Sequence, residues 1–162
     1  MDGAITAVNG CYEVRFQRVF PRPIEAVFAA LTIPERLEAW LAKTEIEPRA
    51  GGAIVLDFSD PPYRMRGEVR RFEPPTLFEF TWPEADAPEP SVVRFELAPH
   101  PEGCALTLTQ TFISRGDLPN VAAGWHEHLE RLAITADGVS VTHWNRRREA
   151  ALADHYRAMI ND

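Results

Sequence analysis

The order of the predicted secondary-structure elements constrains this chain more than any other feature of its sequence. One strand is followed by two short helices, a long series of strands and an amphipathic helix that contains Gly124-Trp125. An antiparallel sheet with one apolar face needs a cover, and the late helix is the obvious candidate. The sequence therefore predicts an α+β fold in which a curved sheet wraps around a helix and leaves a cleft between them.

Hydrophobic periodicity locates the first elements. Side chains alternate between apolar and polar over residues 12–20, which predicts a strand, whereas residues 1–10 are expected to form a loose lead-in. Apolar residues then recur at helical spacing, which predicts helices over 23–31 and 34–41. Thr32 is the expected N-cap of the second helix.

The remaining chain adds six strands and two helices. Turn signals such as Gly51-Gly52 and Pro61-Pro62 divide residues 44–114 into strands, so seven are expected in all, with a bulge or sharp bend at Gly67. The late helix is expected at 121–136 and an additional helix at 142–160, with Trp144, Ala151, Leu152, His155 and Met159 on its apolar side. We expect a single domain over 1–162, with its core at about 11–136.

Composition and motifs exclude several functions. The net charge of −7 opposes nucleic-acid binding, and no apolar run approaches a membrane span, so we expect a cytoplasmic protein. Cys11 and Cys104 lie at opposite ends of a predicted strand pair and are expected to be reduced. No catalytic motif or phosphate loop is present, and His126 with Glu130 lacks a third metal ligand. We therefore expect no metal or cofactor, and the sequence gives little support for an enzyme.

The predicted ligand site consists of large or polar side chains on the inward faces. On a helical wheel His128 is the one ionisable residue of the covering face, with Glu127, Glu130 and Arg131 opposite. Gln110 is an inward amide that must find a partner in the helix, a water or a ligand. The other side chains would equally serve as core. The predicted ligand-binding residues are Trp40, Phe58, Met65, Phe78, Phe80, Trp82, Phe95, Gln110, Phe112, Trp125, His128 and Leu129.

Several segments resemble those of the SRPBCC (START / birch-pollen-allergen-like) superfamily, and most closely the branch homologous to the activator of the 90-kDa heat-shock chaperone ATPase. The matching segments are 23–31, 34–41, 50–52, 67–69, 75–82, 106–110 and Gly124-Trp125 with Leu129 and Leu132. The resemblance implies a helix-grip fold, in which a seven-stranded antiparallel sheet surrounds a C-terminal helix. It also implies a cleft that relatives use for lipids, hormones and polyketides, and relatives of another kind bind a chaperone.

Three functions follow as alternatives. The first is binding of a small, largely apolar molecule between the sheet and the late helix, with His128 and Gln110 orienting it. The second is a protein-interaction module that regulates a chaperone ATPase, with the loop 83–90, the outward arginines and the last helix as contacts. The third is a cyclase or hydrolase that uses His128 as acid or base. The amphipathic last helix would also suit a homodimer contact.

Overall fold

The computed structural model describes residues 1–85, 87–136 and 144–161. These residues form eight strands and four helices. The strands are β1 (Ala4–Val8), β2 (Cys11–Phe20), β3 (Lys43–Ile46), β4 (Ala53–Ser59), β5 (Pro62–Glu73), β6 (Leu77–Trp82), β7 (Ser91–His100) and β8 (Gly103–Ile113). The helices are α1 (Ile24–Thr32), α2 (Pro34–Trp40), α3 (Leu118–Ala136) and α4 (Arg146–Asn161).

The strands form one antiparallel sheet in the order β1-β2-β8-β7-β6-β5-β4-β3. It curves around α3, which buries Trp125, Leu129 and Leu132 against the concave face. This arrangement confirms the predicted helix-grip fold. A single apolar cluster of buried residues lies between the sheet and the helices.

β1 is the strand that the sequence analysis missed. Residues 4–8 pair with β2 from Ala4↔Arg15 to Val8↔Cys11, so the expected loose lead-in is wrong. The connecting Asn9-Gly10 turn has φ of 49° and 82°. Two consecutive positive φ angles define the type I′ hairpin turn, for which Asn-Gly is the strongest sequence signal.

A bulge near the end of β8 reverses the predicted orientation of Phe112. The register of β2 against β8 shifts between Tyr12 and Val14, so that residues 111 and 112 lie opposite Glu13 alone. Phe112 has φ of 62° and is 55% exposed, whereas the next residue, Ile113, is buried. An inserted residue moves later side chains to the other face of the sheet. The prediction that Phe112 faces the cleft is therefore wrong.

Gly67 lies where β5 passes from one part of the curved sheet to the other. A Cβ at this position would lie 2.0 Å from the carbonyl oxygen of Thr81, so the close approach of β6 requires glycine. The register irregularity that the sequence predicts here is present slightly further on, between Val69 and Arg71.

Both ends of α3 are held by side chains. At its start the Asp117 amide donates to Ser114 Oγ at 3.1 Å, and the Ser114 hydroxyl donates to the Asp117 carboxylate at 2.6 Å. At its end the Arg22 guanidinium donates to the Ala136 carbonyl at 3.1 Å. Groups that a helix end would leave unpaired are thereby satisfied.

Thr32 does not cap α2, contrary to the prediction. Its hydroxyl donates instead to the Phe28 carbonyl at 2.8 Å. The residue at the N-cap position is Ile33, which cannot accept a hydrogen bond through its side chain.

α4 packs against α3 and also reaches the sheet, since the Tyr156 ring lies 6.4 Å from that of Phe16 in β2. It buries Ala153 and Tyr156, so the predicted apolar side of this helix is wrong: Ala151, His155 and Met159 are exposed. Residues 142 and 143 of the predicted helix lie outside the described residues.

Because α4 packs against α3, side chains of α3 that were not predicted on its covering face are also buried. Glu127, predicted to face solvent, is 6% exposed and pairs with Arg148. His126 is buried as well, with Nδ1 2.8 Å from the Tyr156 hydroxyl. The face of α4 that packs within the chain is thus the one carrying Ala153 and Tyr156, and the homodimer contact stays a prediction.

Two simpler expectations concern the cysteines and the membrane. Cys11 and Cys104 are both free thiols, as predicted. None of the helices in the described part of the chain combines the length and apolarity that crossing a bilayer requires.

We predict that Gly67→Ala destabilises the protein by about 1–3 kcal/mol, because the new methyl group forces the β5 and β6 backbones apart. The matched control is Gly124→Ala on α3, where a Cβ meets nothing within 4 Å. That substitution should be neutral or stabilise by up to about 1 kcal/mol, since alanine favours helix. Urea denaturation measures both free energies of unfolding, and equal effects would contradict the close approach.

Candidate functional site

A cavity of about 1120 Å³ opens at the end of the sheet where β4 and β6 finish and β5 begins. Antiparallel neighbours place these termini at the same edge. Residues 120–131 of α3 form the opposite wall, and the end of α2 together with the residues after it (38–43) closes one side. Its volume is at or above the upper end of the range usual for small-molecule sites.

Five of the predicted ligand-binding residues line this cavity: Phe58, Trp82, Gln110, Trp125 and His128. Six others are core side chains, each 1% exposed, and contribute packing beneath it: Trp40, Met65, Phe78, Phe80, Phe95 and Leu129. Phe112 lies on the outer face. The structure thus divides the predicted set into a cavity wall and the core that supports it.

A buried chain of hydrogen bonds joins α3 to the sheet beside the cavity. The Trp125 indole Nε1 donates to Gln110 Oε1 at 2.6 Å, and Gln110 Nε2 donates to Ser91 Oγ at 2.8 Å. The Ser91 hydroxyl in turn donates to the Trp82 carbonyl at 3.0 Å. Gln110 is 2% exposed, and leaving such a group unpaired costs about 1–3 kcal/mol. The helix is therefore the partner that the inward amide requires.

Aromatic rings form a continuous wall beside this series of hydrogen bonds. Tyr63 and Trp82 are nearly parallel, with 6.5 Å between ring centroids and an angle of 12°, and the Trp82 indole donates to the Tyr63 hydroxyl at 3.2 Å. Phe58 lies 6.1 Å from Trp82. Trp125 meets Trp82 edge to face at 6.1 Å. The rings of this wall thus pack on one another both nearly parallel and edge to face.

His128 connects α3 to the end of α2. Its Nδ1 lies 3.0 Å from the carbonyl oxygen of Trp40, the last residue of α2. A carbonyl can only accept, so Nδ1 carries the proton and Nε2 of the neutral ring is an acceptor. This bond satisfies one of the carbonyls that the helix end leaves unpaired.

Protein atoms surround the His128 ring even though it borders the cavity. Trp144 lies 4.6 Å away and Trp125 6.0 Å away between ring centroids. Burial lowers the pKa of His128 to about 4, the Trp40 carbonyl acts in the opposite direction, and the charge of Arg131 lowers it further. The imidazole is therefore neutral at neutral pH.

Acidic side chains predominate among the charged groups of the cavity. The described lining contains Lys43 and Arg131 as cations. Burial and the charge of Asp117 together raise the pKa of Glu84. The carboxylates of the lining are Glu38, Asp57, Asp60, Glu84, Asp117 and Glu149.

Sequence reasoning missed part of this site. Tyr63 lines the cavity but is not among the predicted ligand-binding residues, and Trp144 was predicted only as part of the apolar side of the last helix. A tryptophan directly before an amphipathic helix was the available signal for Trp144. Glu84 and Asp117 lie on connections between elements, where no periodicity indicates which way a side chain points.

The fold and the cavity between the sheet and α3 define a helix-grip protein. Residues 21–137 match the family model described as Activator of Hsp90 ATPase homolog 1-like protein. This match covers well over half of the chain, and the chain belongs to that family, which is part of the SRPBCC superfamily. No curated protein matches the chain at a significant level.

Solved structures include similar proteins. BPP1335 from Bordetella parapertussis is 30% identical, covers 96% of this chain and 89% of its own, and has a TM-score of 0.76. MLL2253 from Mesorhizobium loti is 29% identical over 80% of this chain and 99% of its own, with a TM-score of 0.73. DynU16, from the dynemicin biosynthetic locus, is 25% identical over 79% of this chain and 48% of its own, with a TM-score of 0.70.

We predict that His128 makes stability depend on pH. Its pKa is about 4 in the folded protein against an ordinary value of 6.5, so the unfolded chain takes up the proton first as pH falls. The contribution of neutral His128 to the free energy of unfolding is complete above about pH 6.5. It should be lost between about pH 6.5 and 4, and the loss is on the order of 2–3 kcal/mol.

The measurement is the free energy of unfolding at about pH 7 and pH 4.5 for the wild type and His128→Gln. Burial also lowers the pKa of His126, so the variant still loses some stability at low pH. Subtracting the stability lost by the variant from that lost by the wild type gives the contribution of His128. NMR titration of the His128 ring gives its pKa directly. A pKa near the ordinary value, or equal losses in both proteins, would contradict the prediction.

Proposed function

We propose that this protein binds a small, largely apolar molecule in the cavity between the sheet and α3. The observation that carries the proposal is the wall of aromatic rings around a space of about 1120 Å³. Binding sites for small molecules are concave, mainly apolar and equipped with a few fixed polar groups. Trp82 and Trp125 would supply apolar contact, and His128 would supply one hydrogen-bond acceptor.

The core beneath the cavity supports this role by keeping the wall rigid. Phe95 lies 5.9 Å from Trp125, edge to face, and Phe80 lies 6.4 Å from Trp82. Rings held by such contacts lose little freedom when a ligand arrives, so less of the gain from burial is offset. That gain is about 25 cal/mol per Å² of apolar surface removed from water.

For Gln110 we propose a role in holding the wall of the site, whereas the sequence suggested that it orients a ligand. Its amide oxygen and nitrogen are both engaged, by Trp125 and Ser91. It therefore fixes the wall of the site rather than orienting a ligand directly. His128, whose Nε2 is an acceptor, is the better candidate for orientation.

The comparisons support ligand binding in general terms. DynU16 comes from the dynemicin biosynthetic locus, and its likeness to this chain is consistent with a role close to small-molecule metabolism.

Contact with a chaperone is the second candidate function. The description of the family, which refers to an activator of an ATPase, is the observation that favours it. Exposed arginines of β5 would provide the charged surface. Such a contact would use the outside of the sheet and leave the aromatic cavity without a role, so ligand binding explains more of the structure.

We predict that a suitable member of a panel of neutral planar aromatics, such as naphthalene, indole and anthracene, raises the melting temperature. At a hundredfold excess over Kd the expected rise is about 5–10 °C. Gly124 lines the cavity and a Cβ there meets nothing within 4 Å. Gly124→Leu should therefore fill space that the ligand needs and remove the response.

The matched control is Ala133→Leu, which places the same side chain at an exposed position of α3. It should respond like the wild type. The proposal fails if no member of the panel stabilises the wild type, or if both leucine variants respond equally.

A further inference from the structure

We propose that the natural ligand of this cavity is an organic cation, an apolar or aromatic molecule carrying an amine or quaternary ammonium group. The inference rests on the proposed function and specifies the chemical class of its ligand. It is carried by three features of the cavity: aromatic rings, carboxylates that form no ion pair within the described part of the chain, and a neutral histidine.

Aromatic faces are the first feature. The face of an aromatic ring carries partial negative charge and attracts a cation within about 6 Å of its centroid, most strongly for tryptophan. Trp82, Trp125 and Trp144 all line the cavity, together with Phe58 and Tyr63. Clustered rings of this kind are the usual protein solution for binding ammonium groups.

The cavity already holds one cation against such a ring. The guanidinium carbon of Arg131 lies 5.3 Å from the centre of Trp144. Both residues belong to the lining. The geometry required for a cation over an aromatic face is therefore present within the cavity.

Carboxylates are the second feature. Asp57 and Asp60 pair with Arg64 and Arg146, which are outside the lining. Among the residues that the structure describes, three further lining carboxylates, Glu38, Glu84 and Asp117, form no ion pair.

Glu84 and Asp117 approach the cavity from different elements. Glu84 lies on the connection between β6 and β7, and Asp117 lies at the start of α3. Burial and the charge of Asp117 both raise the pKa of Glu84, whose ionised form is therefore repelled by Asp117. A cation bound near them would relieve this repulsion.

The neutral state of His128 is the third feature. A protonated imidazole in the wall would repel a cation, but the Nδ1–H bond to Trp40 and burial keep this ring uncharged. Its Nε2 is an acceptor and so suits an N–H donor on a ligand. Among the described lining residues only Lys43 and Arg131 carry positive charge, which disfavours a carboxylate or phosphate ligand.

The experiment compares three probes of similar shape: benzyltrimethylammonium, its neutral carbon isostere neopentylbenzene, and phenylmethanesulfonate. Affinities come from NMR titration of the tryptophan indole N–H resonances. Trp40 is the internal reference, because its indole donates to Ala30 at 2.9 Å and it is 1% exposed.

The cation should bind about tenfold more tightly than the neutral isostere, and the sulfonate should bind most weakly. If the neutral probe binds as well as the cation or better, this inference is overturned while the proposed apolar site stands. If no probe binds, both are overturned.

The variant Glu84→Gln tests the carboxylates. It should weaken binding of the cation by about threefold to tenfold and leave the neutral probe unchanged. The control is Glu102→Gln, because the Glu102 side chain is 77% exposed and lies outside the lining. Equal effects of the two variants on the cation would contradict the assignment of Glu84.

Discussion

The hydrogen-bond chain from Trp125 through Gln110 to Ser91 fixes how α3 lies on the sheet. An amphipathic helix can rotate or slide on an apolar surface at little cost, because hydrophobic burial has no direction. A buried indole donor and a buried amide permit only the positions in which each finds its partner. The cavity lies directly beside these hydrogen bonds, so the position of its aromatic wall depends on them.

The fold was predictable because its signals are local and repeated. Alternation along the strands and helical spacing around Trp125 each indicated one buried face, and together they required a sheet covered by a helix. The missed strand had a signal too, since Asn9-Gly10 is a hairpin turn by its dipeptide alone. Phe112 is different: the bulge that turns it outward arises from pairing with β2, and the periodicity of β8 alone does not show it.

The candidate site was predictable only in part, for a related physical reason. Periodicity identified which side chains point inward, but whether they fill the interior or border a cavity depends on the lengths of neighbouring strands. Phe80 and Trp82 share one face of β6, yet Phe80 is core and Trp82 lines the cavity. Glu127 was predicted to lie opposite the covering face of α3, and no sequence pattern indicated where α4, which pairs with it through Arg148, would pack.

The most direct test of this account is the stability of Gln110→Met, which keeps the volume of the side chain and removes both hydrogen bonds. The control is Gln17→Met on the exposed face of β2. We expect Gln110→Met to lose about 2–4 kcal/mol relative to the control, because Trp125 Nε1 and Ser91 each lose a buried partner. The Trp125 indole N–H should also exchange faster with solvent. Equal stability of the two variants, with unchanged exchange at Trp125, would contradict the claim that this chain holds α3 in place.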